Sequence, residues 1–212
     1  MRTLSTTLLA ASLAIGLAAC GAQPDAAADA AATPPMDAAP APDAAAPDLS
    51  LVPAPHTVAI LAATEGSSVT GELAFEAVDG GVAITGQVNG LPPGGEHGFH
   101  VHENGDCSAP DGSSAGGHFN PAGAAHGRVG SDEHHAGDTD NIVADDTGVA
   151  VVNTRLAGAT LGDGAPTDVL GRGVIVHADP DDYATQPTGN AGARLACGVI
   201  EQAQQEPEVA QQ

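Results

Sequence analysis

The chain has 212 residues, with 27 acidic against 5 basic side chains, a formal charge of −22, no lysine, no tryptophan, one tyrosine and three phenylalanines. Such an acidic surface excludes nucleic acid and anionic lipid head groups as partners, because both are polyanions. The length allows one ordinary domain with appendages, and the shortage of aromatics leaves that domain few of the largest core-filling side chains.

Residues 1–19 read as a secretory signal: Met1-Arg2 opens it, an apolar run from Leu8 to Ala19 follows, and that run is too short to span a bilayer. Leu17-Ala18-Ala19-Cys20 resembles the bacterial lipobox, which implies cleavage before Cys20, lipidation of its thiol and attachment to a membrane of the cell envelope on the periplasmic side. Acyl chains contribute roughly 0.8 kcal/mol per buried methylene, so a multiply acylated cysteine tethers a protein stably without spanning. An ordinary cleaved signal is the alternative. The spacer that follows, 20–56 with Cys20 at its head, is almost wholly Ala, Pro and Asp up to residue 50. It has too few large apolar side chains to offset its ordering entropy, and its prolines and like charges favour extension.

From Thr57 the pattern changes to short runs rich in Val, Ile and Ala, which place a domain over 57–201 and leave 202–212 as a polar tail. The runs are Val58–Leu61, Val69–Val78, Val82–Val88, His97–His102, Val149–Leu156 and Gly173–His177. Several alternate apolar with polar residues, the period of a half-buried strand, and no segment carries a helical stripe. Asp79-Gly80-Gly81 and Asp145-Asp146-Thr147-Gly148 suit hairpin connections. Many short strands with Gly-rich excursions predict an all-β fold, an antiparallel sandwich or barrel with long loops. The longest excursion, Glu103–Asn141, is rich in His, Gly and Asp, and a loop of that length is usually functional and needs something to order it.

Cysteine usage points the same way. With Cys20 assigned to lipid, Cys107 and Cys197 remain as an even pair in an exported protein, where disulfides persist. Two free thiols are the alternative.

His100 and His102 are two apart on a predicted strand, which turns both imidazoles to one face. His118, His126 and His135 follow in one loop, Asp138 comes three residues after the last, and His177 ends a later apolar strand. Imidazoles with a single carboxylate and no free thiolate suit zinc or copper(II) and argue against iron–sulfur chemistry.

Gly98-Phe99-His100-Val101-His102-Glu103, Gly105-Asp106-Cys107, Gly116-Gly117-His118-Phe119-Asn120-Pro121, His135-Ala136-Gly137-Asp138 and Gly189-Asn190-Ala191-Gly192-Ala193-Arg194-Leu195-Ala196-Cys197-Gly198, in this order, resemble the copper/zinc superoxide dismutases. The resemblance covers about Thr57 to Ile200. It implies a Greek-key sandwich or barrel and the dismutation of superoxide to dioxygen and hydrogen peroxide. It also implies copper on His100, His102, His118 and His177, and zinc on His118, His126, His135 and Asp138, with His118 shared as an imidazolate and returning a proton during turnover. Asp181 matches an outer carboxylate that accepts hydrogen bonds from His100 and His126, and Arg194 matches the residue that attracts and orients superoxide. His56, His97 and His134 are left without a ligand role.

In one respect the chain departs from the family pattern. Many members carry lysines around the copper channel, whereas the matching stretch here, Asp179–Gly192, is acidic, so weaker electrostatic steering is expected. The competing reading is a copper- and zinc-binding lipoprotein that scavenges metal without redox turnover; it explains the histidines and the export signal but not Arg194. Nothing in the sequence fixes the oligomeric state, and a homodimer stays open.

Overall fold

The computed structural model describes residues 57–203. The expected signal, Cys20, the spacer and residues 204–212 lie outside the described residues. Ten strands follow in order: β1 (Thr57–Ala63), β2 (Thr70–Val78), β3 (Gly81–Asn89), β4 (Glu96–His97), β5 (Phe99–His102), β6 (Ile142–Val143), β7 (Val149–Ala157), β8 (Gly173–His177), β9 (Arg194–Val199) and β10 (Glu201–Gln202). The described residues contain no α-helix, only a 3-10 turn at Ser113–Ala115, so the all-β expectation holds.

Every strand pair is antiparallel. One curled sheet runs β5-β8-β9-β1-β2-β3-β7, while β4 and β6 form a small second sheet. β1 serves two partners along one edge. Its first residues pair with β10, Thr57 opposite Gln202, and its last pair with β9, Ala62 opposite Cys197. The sheet therefore extends into the first residue of the segment expected as tail.

Alternation decides which side of the sheet is core. Leu73 and Phe75 on β2, Val82, Ile84 and Val88 on β3, and Ala150, Val152 and Leu156 on β7 all turn inward and are buried, and the residues between them are half-buried or exposed. Burying each of the Val, Leu, Ile and Phe side chains among them contributes about 1.5–3 kcal/mol. The β2–β3 hairpin turns through Asp79-Gly80, and Gly80 takes the left-handed φ of 73° that favours glycine.

The structure breaks the run expected as one strand over His97–His102. It is divided at Gly98: β4 pairs with β6, while β5 pairs with β8. A Cβ on Gly98 would come within 2.8 Å of the Ala191 side chain, so the chain can cross between sheets only with glycine there. The strands β6, β9 and β10 escaped the sequence reading because two are only two residues long and the third hides in a Gly- and Ala-rich motif.

Candidate metal centre

β5 carries two chemistries on its two faces. Phe99 and Val101 point into the hydrophobic core, and the alternating pair His100 and His102 points the other way, all four fully or almost fully buried. β5 is also an edge strand, and its outer edge is covered by the long loop. Phe119 N–H donates to the Val101 carbonyl, and Val101 N–H donates to the Gly137 carbonyl, each at 2.9 Å. These bonds set His118 opposite His102 and Asp138 opposite His100 as single bridges. Backbone pairing with a strand edge is thus one source of order in the Glu103–Asn141 loop. Gly137 is required by the closeness, because a Cβ there would overlap the Val101 carbonyl oxygen.

Two buried clusters result, His100–His102–His118–His177 and His118–His126–His135–Asp138, each with ligand atoms within 4.8 Å of one another. His118 belongs to both. Its Nδ1 lies 2.8 Å from Asp138 Oδ1, and its Nε2 is buried with no hydrogen-bond partner. Its ring centroid lies 4.0 Å from that of His100 and 5.5 Å from that of His135. His135, rather than His134, enters the second cluster; His134 Nδ1 faces the His135 carbonyl at 2.8 Å. His97 stands outside both sets, its Nδ1 2.9 Å from the His177 carbonyl.

The ring nitrogens sort into outward ones tied to protein and inward ones left free. His102 Nδ1 meets the Gly116 carbonyl at 2.9 Å, His177 Nδ1 the Gly192 carbonyl at 3.3 Å, and His100 Nε2 the Asp181 Oδ2 at 2.8 Å. Inward, His100 Nδ1, His118 Nε2, His126 Nδ1 and His135 Nδ1 are buried without a hydrogen bond. His126 Nδ1 is 3.1 Å from Asp138 Oδ2 and His135 Nδ1 is 3.3 Å from Asp138 Oδ1, close but not aligned to donate. His102 Nε2 and His177 Nε2 face each other at 3.4 Å. An orphaned buried polar atom costs about 1–3 kcal/mol. A convergent set of them is the donor arrangement that a cation satisfies, and four imidazoles in one cluster and three with a carboxylate in the other fit copper and zinc.

Asp181 links the clusters. Its two oxygens take His100 Nε2 from the first and His126 Nε2, at 3.0 Å, from the second. The backbone of Asp181 is itself clamped: Asn141 Oδ1 accepts the Asp181 N–H at 2.8 Å and Asn141 Nδ2 donates to the Asp181 carbonyl at 3.0 Å. Gly189 lies flat over this contact, since a Cβ there would overlap Asp181 Oδ1. Arg194 donates from Nη1 to the Gly112 carbonyl at 2.7 Å and from Nη2 to the Gly116 carbonyl at 2.5 Å. The Gly116 oxygen therefore anchors both His102 and Arg194. Asn141, Gly116 and Thr64, whose hydroxyl donates to the Arg194 carbonyl at 2.6 Å, escaped sequence reading. A backbone carbonyl or a lone amide leaves no motif.

Disulfide formation is realised: Cys107 and Cys197 are bonded, with Cα atoms 5.8 Å apart and a sequence separation of 90. The bond pins the loop bearing Gly112 and Gly116 to β9, which begins at Arg194.

Protonation follows burial and charge. Burial lowers His100 to about 4 and His177 to about 3, in each case helped by a neighbouring imidazole. His102 is likewise held well below its ordinary value, by burial first and then by His118, His177 and Arg194. Burial also acts to lower His126, but contacts with Asp138 and Asp181 outweigh it and raise the ring to about 9. Burial opposes the charge of both carboxylates. Hydrogen bonds from their histidines nevertheless hold Asp138 and Asp181 well below the usual carboxylate range.

These directions set the pH profile of the metal-free protein. Between its unfolded value, about 6.5, and its lowered folded value, a buried histidine binds protons only when unfolded. His100 and His177 therefore remove stability as pH falls from the unfolded value towards about 4 and about 3. His126 works in the opposite sense. Its contribution is complete below the unfolded value and is lost as pH rises through about 9. Thermal melts of metal-free protein should give a maximum between these limits, close to neutrality, with a fall on both sides. A melting temperature that rises without a break to alkaline pH would contradict the assignment.

Comparison with known proteins agrees with this geometry. Residues 69–200 match the family model described as copper/zinc superoxide dismutase. Cu-Zn superoxide dismutase 2 of Aquifex aeolicus strain VF5 is 43% identical over 140 residues, 65% of this chain and 81% of that protein. Cu-Zn superoxide dismutase 1 of the same organism is 43% identical over 123 residues, 57% of this chain and 73% of that one. Among solved structures, a SOD-like protein from Bacillus subtilis aligns with a TM-score of 0.61 at 38% identity, over 68% of this chain and 97% of that chain. The clock protein EA4 aligns with the same TM-score at 39% identity, over 69% and 94%. On the strength of the matched span, the chain belongs to the copper/zinc superoxide dismutase family and is an oxidoreductase that dismutes superoxide with copper and zinc as its cofactors.

Proposed function

We propose that dismutation runs on a joined pair of sites, copper on His100, His102, His118 and His177 and zinc on His118, His126, His135 and Asp138, with Arg194 receiving the substrate. The observation that carries this reading is His118, the one residue common to both clusters, whose two ring nitrogens face different neighbours. Bound copper supplies the one-electron chemistry of the two half-reactions, and zinc, which is redox-silent, orders its ligands.

The protein's own residues supply the rest. Asp181 and the Gly116 and Gly192 carbonyls hold the outward nitrogens of His100, His102 and His177, so the opposite nitrogen of each ring is the one free to ligate. His118 Nε2 is the atom that takes up and returns a proton as the site cycles, a general acid held in place by β5. Arg194 keeps its charge. With two of its N–H groups committed to carbonyls, the guanidinium is fixed in direction and ready for a small anion.

The other described arginines are engaged elsewhere. Arg128 pairs with Asp140, Arg155 reaches the Gly80 carbonyl, and Arg172 reaches the Glu103 carbonyl and lies over the Phe119 ring. Arg194 is the one tied to a ligand cluster, through the Gly116 carbonyl it shares with His102, so attraction of superoxide is assigned to it within a screening length of about 8 Å at physiological salt.

The test is the superoxide-consumption rate of protein carrying one copper and one zinc, compared with Arg194→Ala at equal metal content. Loss of one charge-assisted donor to the anion should lower the rate about 10- to 100-fold, and the wild-type rate should change little as salt is added. A fully metallated wild type without activity would support scavenging instead. A steep fall with salt would show strong steering.

We further propose that the protein works outside the cytoplasm, tethered through Cys20 to a membrane of the cell envelope. Support comes from the signal-like residues 1–19, the lipobox-like Leu17-Ala18-Ala19-Cys20 and a disulfide that an oxidising compartment preserves.

A further inference from the structure

Gln186 lies on the loop between β8 and β9 and belongs to neither ligand cluster. Its side chain is exposed, yet both ends of its amide turn onto one residue. Oε1 accepts the His126 backbone N–H at 2.8 Å, and Nε2 donates to the His126 carbonyl at 2.8 Å. The amide imitates a paired strand over one residue. Among the described residues, His126 makes no backbone–backbone hydrogen bond, and Gly123–Arg128 has no regular structure. The histidine that contributes Nδ1 to the second cluster therefore sits on a backbone held through Gln186.

The loop that presents Gln186 is braced before it makes this contact. Asp182 Oδ1 accepts the N–H groups of Ala184 and Thr185 at 2.9 and 2.7 Å. Gly189 N–H donates to the Thr185 carbonyl, and Asp182 N–H to the Gly189 carbonyl. The same loop carries Asp181, which meets Nε2 of the His126 ring. His126 is thus gripped twice by one segment, at its ring by Asp181 and at its backbone by Gln186. A ligand held at both places has few orientations open to it, and its metal is released only when the grip loosens.

We propose that Gln186 is a positioning residue for the zinc site, acting through the His126 backbone and coupling the β8–β9 loop to the zinc-binding loop. The proposal rests on the reading that zinc occupies the second cluster. Gln186 makes no hydrogen bond to a residue of the copper cluster, so the direct effect falls on zinc.

The experiment uses the full chain loaded with copper and zinc, and the variants Gln186→Met and Gln186→Glu. Methionine keeps the length of the side chain and removes both bonds; glutamate keeps the acceptor facing the His126 N–H but sets an oxygen against its carbonyl. Zinc transfer to a chromophoric chelator should be about tenfold faster in Gln186→Met, with Gln186→Glu between it and wild type. Copper content should be unchanged, and the visible bands of cobalt(II) placed in the zinc site should shift in the same order. The inference is overturned if zinc leaves Gln186→Met at the wild-type rate with unshifted cobalt bands, or if copper is lost as readily as zinc, which marks general loosening. Should Gln186→Met not fold, the ordering of Gln186→Glu against wild type decides the matter. Failure of the zinc reading itself is told apart by His135→Ala, which would then keep its full complement of zinc.

Discussion

Replacing Asp181 with alanine should cost affinity for both metals at once, by about 10- to 100-fold for each ion, and take most of the activity with it. The two carboxylate oxygens meet one ligand of each cluster, His100 Nε2 at 2.8 Å and His126 Nε2 at 3.0 Å. Each bond turns the opposite nitrogen of the same ring inward. Without the carboxylate, two buried N–H groups lose their acceptor at about 1–3 kcal/mol each. The rings then gain by turning, and turning removes the ligating nitrogen from its set.

Asp181→Asn sharpens the argument, because an amide has one oxygen and one NH2 where two N–H donors must be met. One cluster should keep its geometry and the other should not. Elemental analysis after dialysis against a chelator, with a superoxide assay on the same samples, measures both effects. Wild-type retention of copper and zinc by the alanine variant would contradict this account.

Cys197→Ser should lower stability by about 2–5 kcal/mol and the melting temperature by roughly 5–15 °C. The bond closes a loop of 90 residues in sequence, so its removal frees a large part of the domain in the unfolded state. Activity should fall as well, because the same bond fixes the relation between two halves of the proposed anion site. Arg194 is on β9 three residues before Cys197, while its anchors Gly112 and Gly116 follow Cys107 on the facing loop. Thermal melts of variant and wild type, with and without reductant, measure the loss; an unchanged melting temperature would show that the staple carries little of the fold. Partial recovery of the rate at high superoxide concentration is expected, since the damage is to binding of the anion.

Much of the fold was legible because strand period and turn residues are local. Leu73 and Phe75 fall on the inner face that the alternation along Val69–Val78 marks, and Asp79-Gly80 marks its hairpin with residues that favour turns. Gly98 shows the limit. It interrupts an apolar run in a way that reads as a flexible strand residue, whereas its role is to let the chain change sheets where Ala191 leaves no space for a side chain. That constraint comes from a residue over ninety positions away.

Residue type and order by themselves determined the all-β class, the even cysteine pair and seven metal-ligand candidates, while Arg194 stood out only through the resemblance of its motif to the family's. Imidazole, carboxylate and guanidinium are chemically distinct, and the spacing of two on β5 fixes a common face. Only the tertiary structure decided which nitrogen of each ring turns inward, and that the Gly116 carbonyl, Asn141 and Gln186 steady the arrangement. Those outcomes depend on where distant backbone groups come to rest. A carbonyl or an amide is common to many residues, so its importance arises only when folding carries it within 3 Å of a particular donor.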